Sequence, residues 1–276
     1  MPTVDLEYPK QPYSKVNRYD VRASYALETI HQIVNTCPIL HVSFTTPTSP
    51  FPMVLPMIGQ MGSFARPSAD TGDVLELYLH GYVSSRIMNL SRQNEETGAR
   101  GEEQGMPITV AASHMDGLVL SLTPNSHSYN YRSAVLFGHA QLVADPAEKL
   151  YAMELITDGV VPGRWRHTRV PPNGAELSST AVLRVRVAAG SAKIRSGMPS
   201  DEKADMADEA VTGRVWTGVV PVSLQMGEPM AGPYNVVAKT PAYIEDWRTE
   251  MNGFALETAV KNATKKMKGK SKTEKD

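Results

Sequence analysis

The sequence predicts a mainly β, α+β chain: an antiparallel β domain with flanking helices. Three observations carry that reading. Short runs of β-branched and apolar residues recur along the chain, separated by turn-rich stretches. Helical signals are few, and the clearest is a capped start near Asp145. No internal repeat and no dividing linker is visible, so the 276 residues read as one principal domain able to bury a sizeable core.

From the N-terminus, residues 1–18 hold Pro2, Pro9 and Pro12 and read as an extended arm, one that lies across a neighbouring subunit or stays disordered. Between Asp20 and Asn35, Ala26, Ile30, Ile33 and Val34 recur at helical spacing, and Pro38 stops the helix. Ile39–Thr45 and Met53–Ile58 are strands on either side of a TPTSPFP turn region, and Val74–His80 is a third. The polar run Arg92–Gln104 reads as a mobile loop. Pro107–Ala112 and Leu118–Leu122 follow as two short strands.

Ser133–Val143 is a long strand, with Val135, Phe137, His139 and Gln141 on one face and Leu136, Gly138, Ala140 and Leu142 on the other. In the next helix Asp145 is the cap and Pro146 the first position. Glu148 is placed to reach back as a capping-box acid, and Gly159 ends the helix. Pro162–Leu177 reads as a long loop, basic through Arg164, Arg166, His167 and Arg169, either solvated or a lid for an anionic substrate. Ala181–Val187 alternates as a strand, Ser200–Ala210 is an acidic solvated loop, and Trp216–Val222 is the last strand. The principal domain spans residues 19–258, and the lysine-rich 259–276 reads as a frayed helix or a disordered tail.

Composition excludes several classes. A net charge of −1 argues against a general nucleic-acid or membrane-surface binder, which needs a concentrated basic face. One cysteine, Cys37, allows no intrachain disulfide and fits a reducing compartment. No run approaches the length of a membrane helix and the N-terminus lacks an apolar signal core, so the expected location is cytoplasmic. Phosphate-binding P-loop, dinucleotide-binding GxGxxG and nucleophile-elbow GxSxG patterns are all absent. None of the seven histidines forms an HxxxH pair, so no metal site is expected.

Three segments are more specific: Met53-Val54-Leu55-Pro56-Met57, Leu77-Tyr78-Leu79-His80-Gly81-Tyr82-Val83-Ser84-Ser85-Arg86, and Asn130-Tyr131-Arg132-Ser133-Ala134-Val135-Leu136-Phe137-Gly138. With Ser191-Ala192-Lys193-Ile194-Arg195 and Trp216-Thr217-Gly218-Val219-Val220-Pro221, they resemble the pyridoxamine 5′-phosphate oxidase-like flavoproteins, in particular the subgroup of the nitroimidazole-resistance proteins. The resemblance runs from about residue 18 to 222 and implies an FMN-binding split β-barrel. It further implies a homodimer with the cofactor site at the subunit interface, acting as an FMN-dependent oxidoreductase on a small organic substrate, nitro compounds included.

The residues are compatible with that role. Ser84, Ser85 and Arg86 follow a glycine at a strand-to-helix turn, where helix N–H groups, hydroxyls and a guanidinium converge on a phosphate. By the resemblance, the backbones of Val54, Leu55 and Pro56 and of Tyr78, Leu79 and Gly81 border the flavin ring, and Asn130, Arg132 and Lys193 complete the cofactor site. His80 matches a histidine assigned a reactive role beside the flavin, although a buried, carbonyl-bonded imidazole fits the residues equally well. Trp216 is either a ring-stacking residue or core. Where many members carry lysine after Ser-Arg, Ile87 stands here, so a second phosphate-neutralising charge must come from Lys193, Arg195 or Arg132. Three other readings stay open: a non-catalytic flavin-binding or storage protein, a split barrel binding haem or another planar ligand, and a cofactor-free barrel.

Overall fold

The computed structural model describes residues 5–97 and 104–265. Nine strands form one antiparallel sheet: β1 (Ala23–Ser24), β2 (Leu40–Phe44), β3 (Met53–Met57), β4 (Gly59–Gly62), β5 (Glu76–Tyr82), β6 (Met106–Leu120), β7 (Ser128–Leu142), β8 (Thr180–Arg195) and β9 (Gly218–Pro221). Their order is β3-β2-β6-β7-β8-β5-β4, with β1 pairing β8 and β9 pairing β6. Helices α1 (Leu27–Thr36), α2 (Arg86–Thr97), α3 (Pro146–Val160), α4 (Gly174–Ser179), α5 (Lys203–Ala207), α6 (Glu209–Thr212) and α7 (Ala242–Thr264) accompany it. This is the expected split-barrel α+β fold. The chain groups into two compact units, Met1–Ser113 with Ser133–Lys193, and His114–Arg132 with Ile194–Asp276.

In the first unit, period-two alternation buries Leu40, Val42 and Phe44 of β2 on one face. Strand β5 is buried on both faces. Leu77 and Leu79 point one way, while Tyr78 points the other way and packs under Ala152 and Ile156 of α3. At Gly138 of β7 an added Cβ would lie 2.3 Å from the Arg186 carbonyl oxygen, so only glycine permits that approach.

Several expected boundaries are corrected. The first helix begins at Leu27 rather than Asp20, because Ala23 and Ser24 pair with β8 and Glu7 bridges Ala26. The run expected as a loop from Arg92 is helical to Thr97. Ile87, Met88 and Ser91 bury one face of α2, and the polar run is its outer side. Residues 98–103 of that expected loop, and 266–276 of the expected tail, lie outside the described residues. The two short strands at 107–112 and 118–122 are one strand, β6, running through Asp116.

Glu148 is not a capping-box acid. It is buried, accepting from Tyr78 Oη at 2.9 Å and from Arg184 Nη1 at 3.1 Å, while Asp145 alone caps α3 through Ala147 N at 2.8 Å. Gly159 lies within α3, which ends at Val160. The acidic stretch from Ser200 contains α5 and α6, the latter capped by Asp208. The basic loop contains a 3₁₀ turn, Trp165–His167, and α4, where Arg169 pairs with Glu176.

The N-terminal arm folds back on its own chain. Tyr8 N bonds Tyr25 O at 2.9 Å and Leu27 N bonds Leu6 O at 2.8 Å. His31, fully buried, donates from Nδ1 to Thr71 O at 2.9 Å, so its Nε2 accepts from Tyr8 Oη at 2.6 Å. Burial lowers the His31 pKa from 6.5 to about 4, partly offset by the Thr71 bond. A depressed folded-state value means that the unfolded chain binds this proton more tightly. The associated stability is therefore complete above pH 6.5 and is lost as the pH falls toward 4, by roughly 3 kcal/mol. Urea midpoints between pH 7 and 4.5 should fall less steeply in His31→Gln than in the parent; equal slopes would exclude His31 as the titrating group.

Among the described residues no helix is long and apolar enough to cross a membrane. None of their His, Cys, Asp and Glu side chains forms a group of three or more placed to hold a metal ion.

Candidate functional site

Strand β3, the end of β5 and the start of α2 converge in the first unit. Ser85 is the residue before α2, and its carbonyl accepts the first helical bond, from Asn89 N at 3.0 Å. At such an N-cap a serine hydroxyl ordinarily accepts from the N–H groups of the first turn. Here Ser85 Oγ is buried and has no hydrogen-bond partner among the described residues. The first-turn amides are therefore not capped by this hydroxyl, which lies on the Gly81 side of the turn.

Arg86 follows, exposed, and its guanidinium makes one hydrogen bond among the described residues, to the weak acceptor Met53 Sδ at 3.7 Å. Ser84 is exposed as well, its carbonyl accepting from Asn89 Nδ2 at 3.1 Å. At Gly81 an added Cβ would lie 3.2 Å from Met88 Cε and 3.8 Å from both Met57 Cε and Ser85 Oγ. Glycine here keeps open the space between β5 and the cap of α2.

Met53, Leu55 and Met57 share the half-buried face of β3, while Val54 and Pro56 face outward. Of the expected site residues, the fold thus gathers Val54, Leu55, Pro56, Leu79, Gly81, Ser84, Ser85 and Arg86. His80 belongs to the same stretch but, by strand alternation, projects from the face of β5 opposite Leu79 and Gly81. It is half-buried, without a hydrogen bond among the described residues, and burial lowers its pKa. Its imidazole is neutral and uncommitted at neutral pH.

The remaining expected residues have other employment. Tyr78 is fully buried and held by Glu148; burial first, and then that hydrogen bond, raise its pKa far above the ordinary phenol range. Lys193 donates to Arg18 O at 2.8 Å. From Val182, the residue opposite His80, β8 runs on to Lys193 for about 36 Å at ~3.3 Å per residue. Asn130, Arg132, Arg195 and Trp216 belong to the second unit. There Arg132 grips Asp116 through Nε and Nη2, both at 2.9 Å, and Asn262 Nδ2 adds a bond to the same acid at 2.8 Å. Arg195 bonds buried Asn130, whose Nδ2 donates to Gly197 O at 3.1 Å. Arg132 and Arg195 are thus each engaged within the second unit. Trp216 is exposed, its ring against Gly218.

Ile87, standing where a lysine was expected, is buried. The position faces the core, so a lysine here would have to bury its charge. Sequence reasoning missed Met53, Met57 and Met88 as lining residues; the two β3 methionines, four apart on one strand face, were the available signal.

Residues 27–194 match the family model described as pyridoxamine 5′-phosphate oxidase. A search of the curated proteins finds no significant match. Among solved structures, the flavocytochrome Anf3 from Azotobacter vinelandii is 29% identical with a TM-score of 0.68, covering 86% of this chain and 97% of its own. The FAD and heme binding protein from Mycobacterium smegmatis is 27% identical with a TM-score of 0.64, covering 82% and 97%.

Proposed function

Because the chain belongs to the pyridoxamine 5′-phosphate oxidase family, we propose that it is a flavin-binding oxidoreductase whose cofactor phosphate sits at the start of α2. The observation that carries this reading is the buried, unpartnered Ser85 hydroxyl at an uncapped helix N-terminus, beside the lightly engaged Arg86. A phosphate would accept from the hydroxyl, from the first-turn amides and from the guanidinium together, which satisfies every orphan donor there at once. The cradle therefore fits the group.

In this reading Ser84, Ser85 and Arg86 hold the phosphate, and the backbones of Val54–Pro56 and Leu79–Gly81 border the ring. When bound, a flavin supplies hydride or single-electron chemistry. The chain's part is to bind and orient it and to manage protons. His80, neutral and without a hydrogen bond, would hold or take a proton at a ring nitrogen on the substrate side. Among the described residues Arg86 is the cation that adjoins Ser85 in the chain, and for a second phosphate-neutralising charge we take the complete site to lie between two copies, with Lys193 reaching it from the second.

The clamp reads a phosphate and so accepts either FMN or FAD. FMN is the smaller ligand, and FAD is favoured by the similarity to the FAD and heme binding protein from Mycobacterium smegmatis. A second reading adds haem, because both solved relatives, each covered over 97% of its length, are named as a flavocytochrome or as a heme binder. His80 and His139, both half-buried and without a hydrogen bond among the described residues, are imidazoles that could hold a haem iron.

Absorbance of the purified protein tests both readings. Bands near roughly 375 and 450 nm are expected for flavin, and a sharper one near roughly 400 nm for haem. Chromatography of the heat-released cofactor separates FMN from FAD. No flavin bands with either nucleotide in excess would exclude the proposal.

A further inference from the structure

In the second unit the chain leaves β9 and returns at α7 through a segment that stands away from everything else described. Residues 227–242 are all exposed, with Met230 at 94%, Tyr234 at 95% and Val236 at 95%. Among the described residues the hydrogen bonds of 229–240 are local, Asn235 N to Gly232 O and Asn235 Nδ2 to Val237 O. At Gly227 and Gly232 an added Cβ would meet nothing within 4 Å.

The base of the segment, by contrast, is firmly held. Asn252 clasps Met226 through both its amide groups, at 2.7 and 2.9 Å, and Arg248 binds Glu228 at 2.9 Å. Pro229, Pro233 and Pro241 restrict the backbone between, so its extended form costs little entropy to fix on docking.

Its chemistry is that of a dry contact. Residues 229–240 carry a single charge, Lys239, among Met, Tyr, Val, Ala and Pro side chains. Leu224, Met230, Tyr234, Val236 and Val237 together expose on the order of 800 Å², spread along the segment and its approach, where exposed apolar residues on a monomer ordinarily stand singly. About 800 Å² is also what each partner contributes to a standard interface.

We propose that this segment is an exchanged arm that docks on a second copy of this chain. Two such arms, each with the surface it covers, bury about 3,200 Å², within the range of obligate homodimers. The chain itself offers matching surface, since Phe51, Val54 and Tyr82 are large, apolar and mostly exposed. A second copy is the partner always present in proportion to the arm, as a surface this apolar requires. The inference rests on the homodimer proposed above and adds that the arm, beyond the sheet, holds the two copies together.

The test is sedimentation equilibrium on the full chain and on a Met230→Ser, Tyr234→Ser, Val236→Ser variant, with circular dichroism to establish that both are folded. The parent is expected to be a dimer and the variant to dissociate at least a hundredfold more readily. A monomeric parent would overturn both the dimer and the arm. A dimeric parent with unchanged affinity in the variant would overturn the arm alone. A benzophenone amino acid at position 234 gives an independent readout. A product of twice the chain mass is expected on illumination, and labelling confined to single chains would overturn the proposal.

Discussion

Arg86→Ala is expected to weaken flavin binding about tenfold to a hundredfold, since a hydrogen bond to a charged group is worth roughly 1.5–3 kcal/mol. The unfolding midpoint of the flavin-free protein should hardly move, because the exposed guanidinium gives up only a long contact to Met53 Sδ. Ser85→Ala separates the two roles open to that residue. As a phosphate ligand with a buried, unsatisfied hydroxyl, its loss should leave the flavin-free protein as stable or up to about 1 kcal/mol more stable, while flavin affinity falls about tenfold. As an ordinary helix cap, its loss would instead cost about 1 kcal/mol and leave affinity alone. Fluorescence titration with FMN and with FAD, beside urea unfolding of the same preparations, reads both quantities. Unchanged affinity in both variants would remove the start of α2 as the clamp.

Glu148→Ala should be among the more damaging polar substitutions in the first unit, lowering stability by about 3 kcal/mol and the melting temperature by about 8 °C. The carboxylate is buried and serves two groups, the fully buried Tyr78 hydroxyl and the partly exposed Arg184 guanidinium. Removing it strands both, and Arg184 Nε already lacks a partner among the described residues. Glu148→Gln keeps an oxygen for Tyr78 and should cost about 1 kcal/mol. Calorimetry distinguishes the three proteins, and equal losses in the two variants would show that charge, not the acceptor, is what matters. Tyr78→Phe should likewise cost about 1 kcal/mol of stability without touching flavin affinity, because the phenol points under α3. A Tyr78→Phe variant that binds flavin less tightly would return this side chain to the site.

Legibility in the sequence followed the physical signal each element carried. Strands β2, β3 and β5 were readable because β-branched and apolar residues mark them, and α3 because Asp145 and Pro146 mark its start. Helix α7 was invisible: Ala259 and Ala263 are its buried residues, so it has no apolar stripe to set a period. Strand β6 was broken in two at a polar stretch because nothing local shows that Asp116 is buried against Arg132 and Asn262. Helix α2 was half lost for the opposite reason, since its polar outer face outweighed the short inward set of Ile87, Met88 and Ser91.

By itself the sequence determined the antiparallel α+β class, the strand-to-turn-to-helix passage at Gly81–Arg86 and the kinship that points to a flavin, because these depend on residue type and near-neighbour order. Only the tertiary structure decided which polar side chains are at liberty. Tyr78, Asn130, Arg132 and Arg195 looked like ligands along the chain, yet Glu148, Gly197 and Asp116 already engage the first three and Asn130 engages Arg195. Ser85 Oγ and His80 have no such partner. A side chain's hydrogen-bonding capacity is used up by whatever the fold brings within about 3 Å, and that neighbour is a property of the packed chain, not of the local sequence.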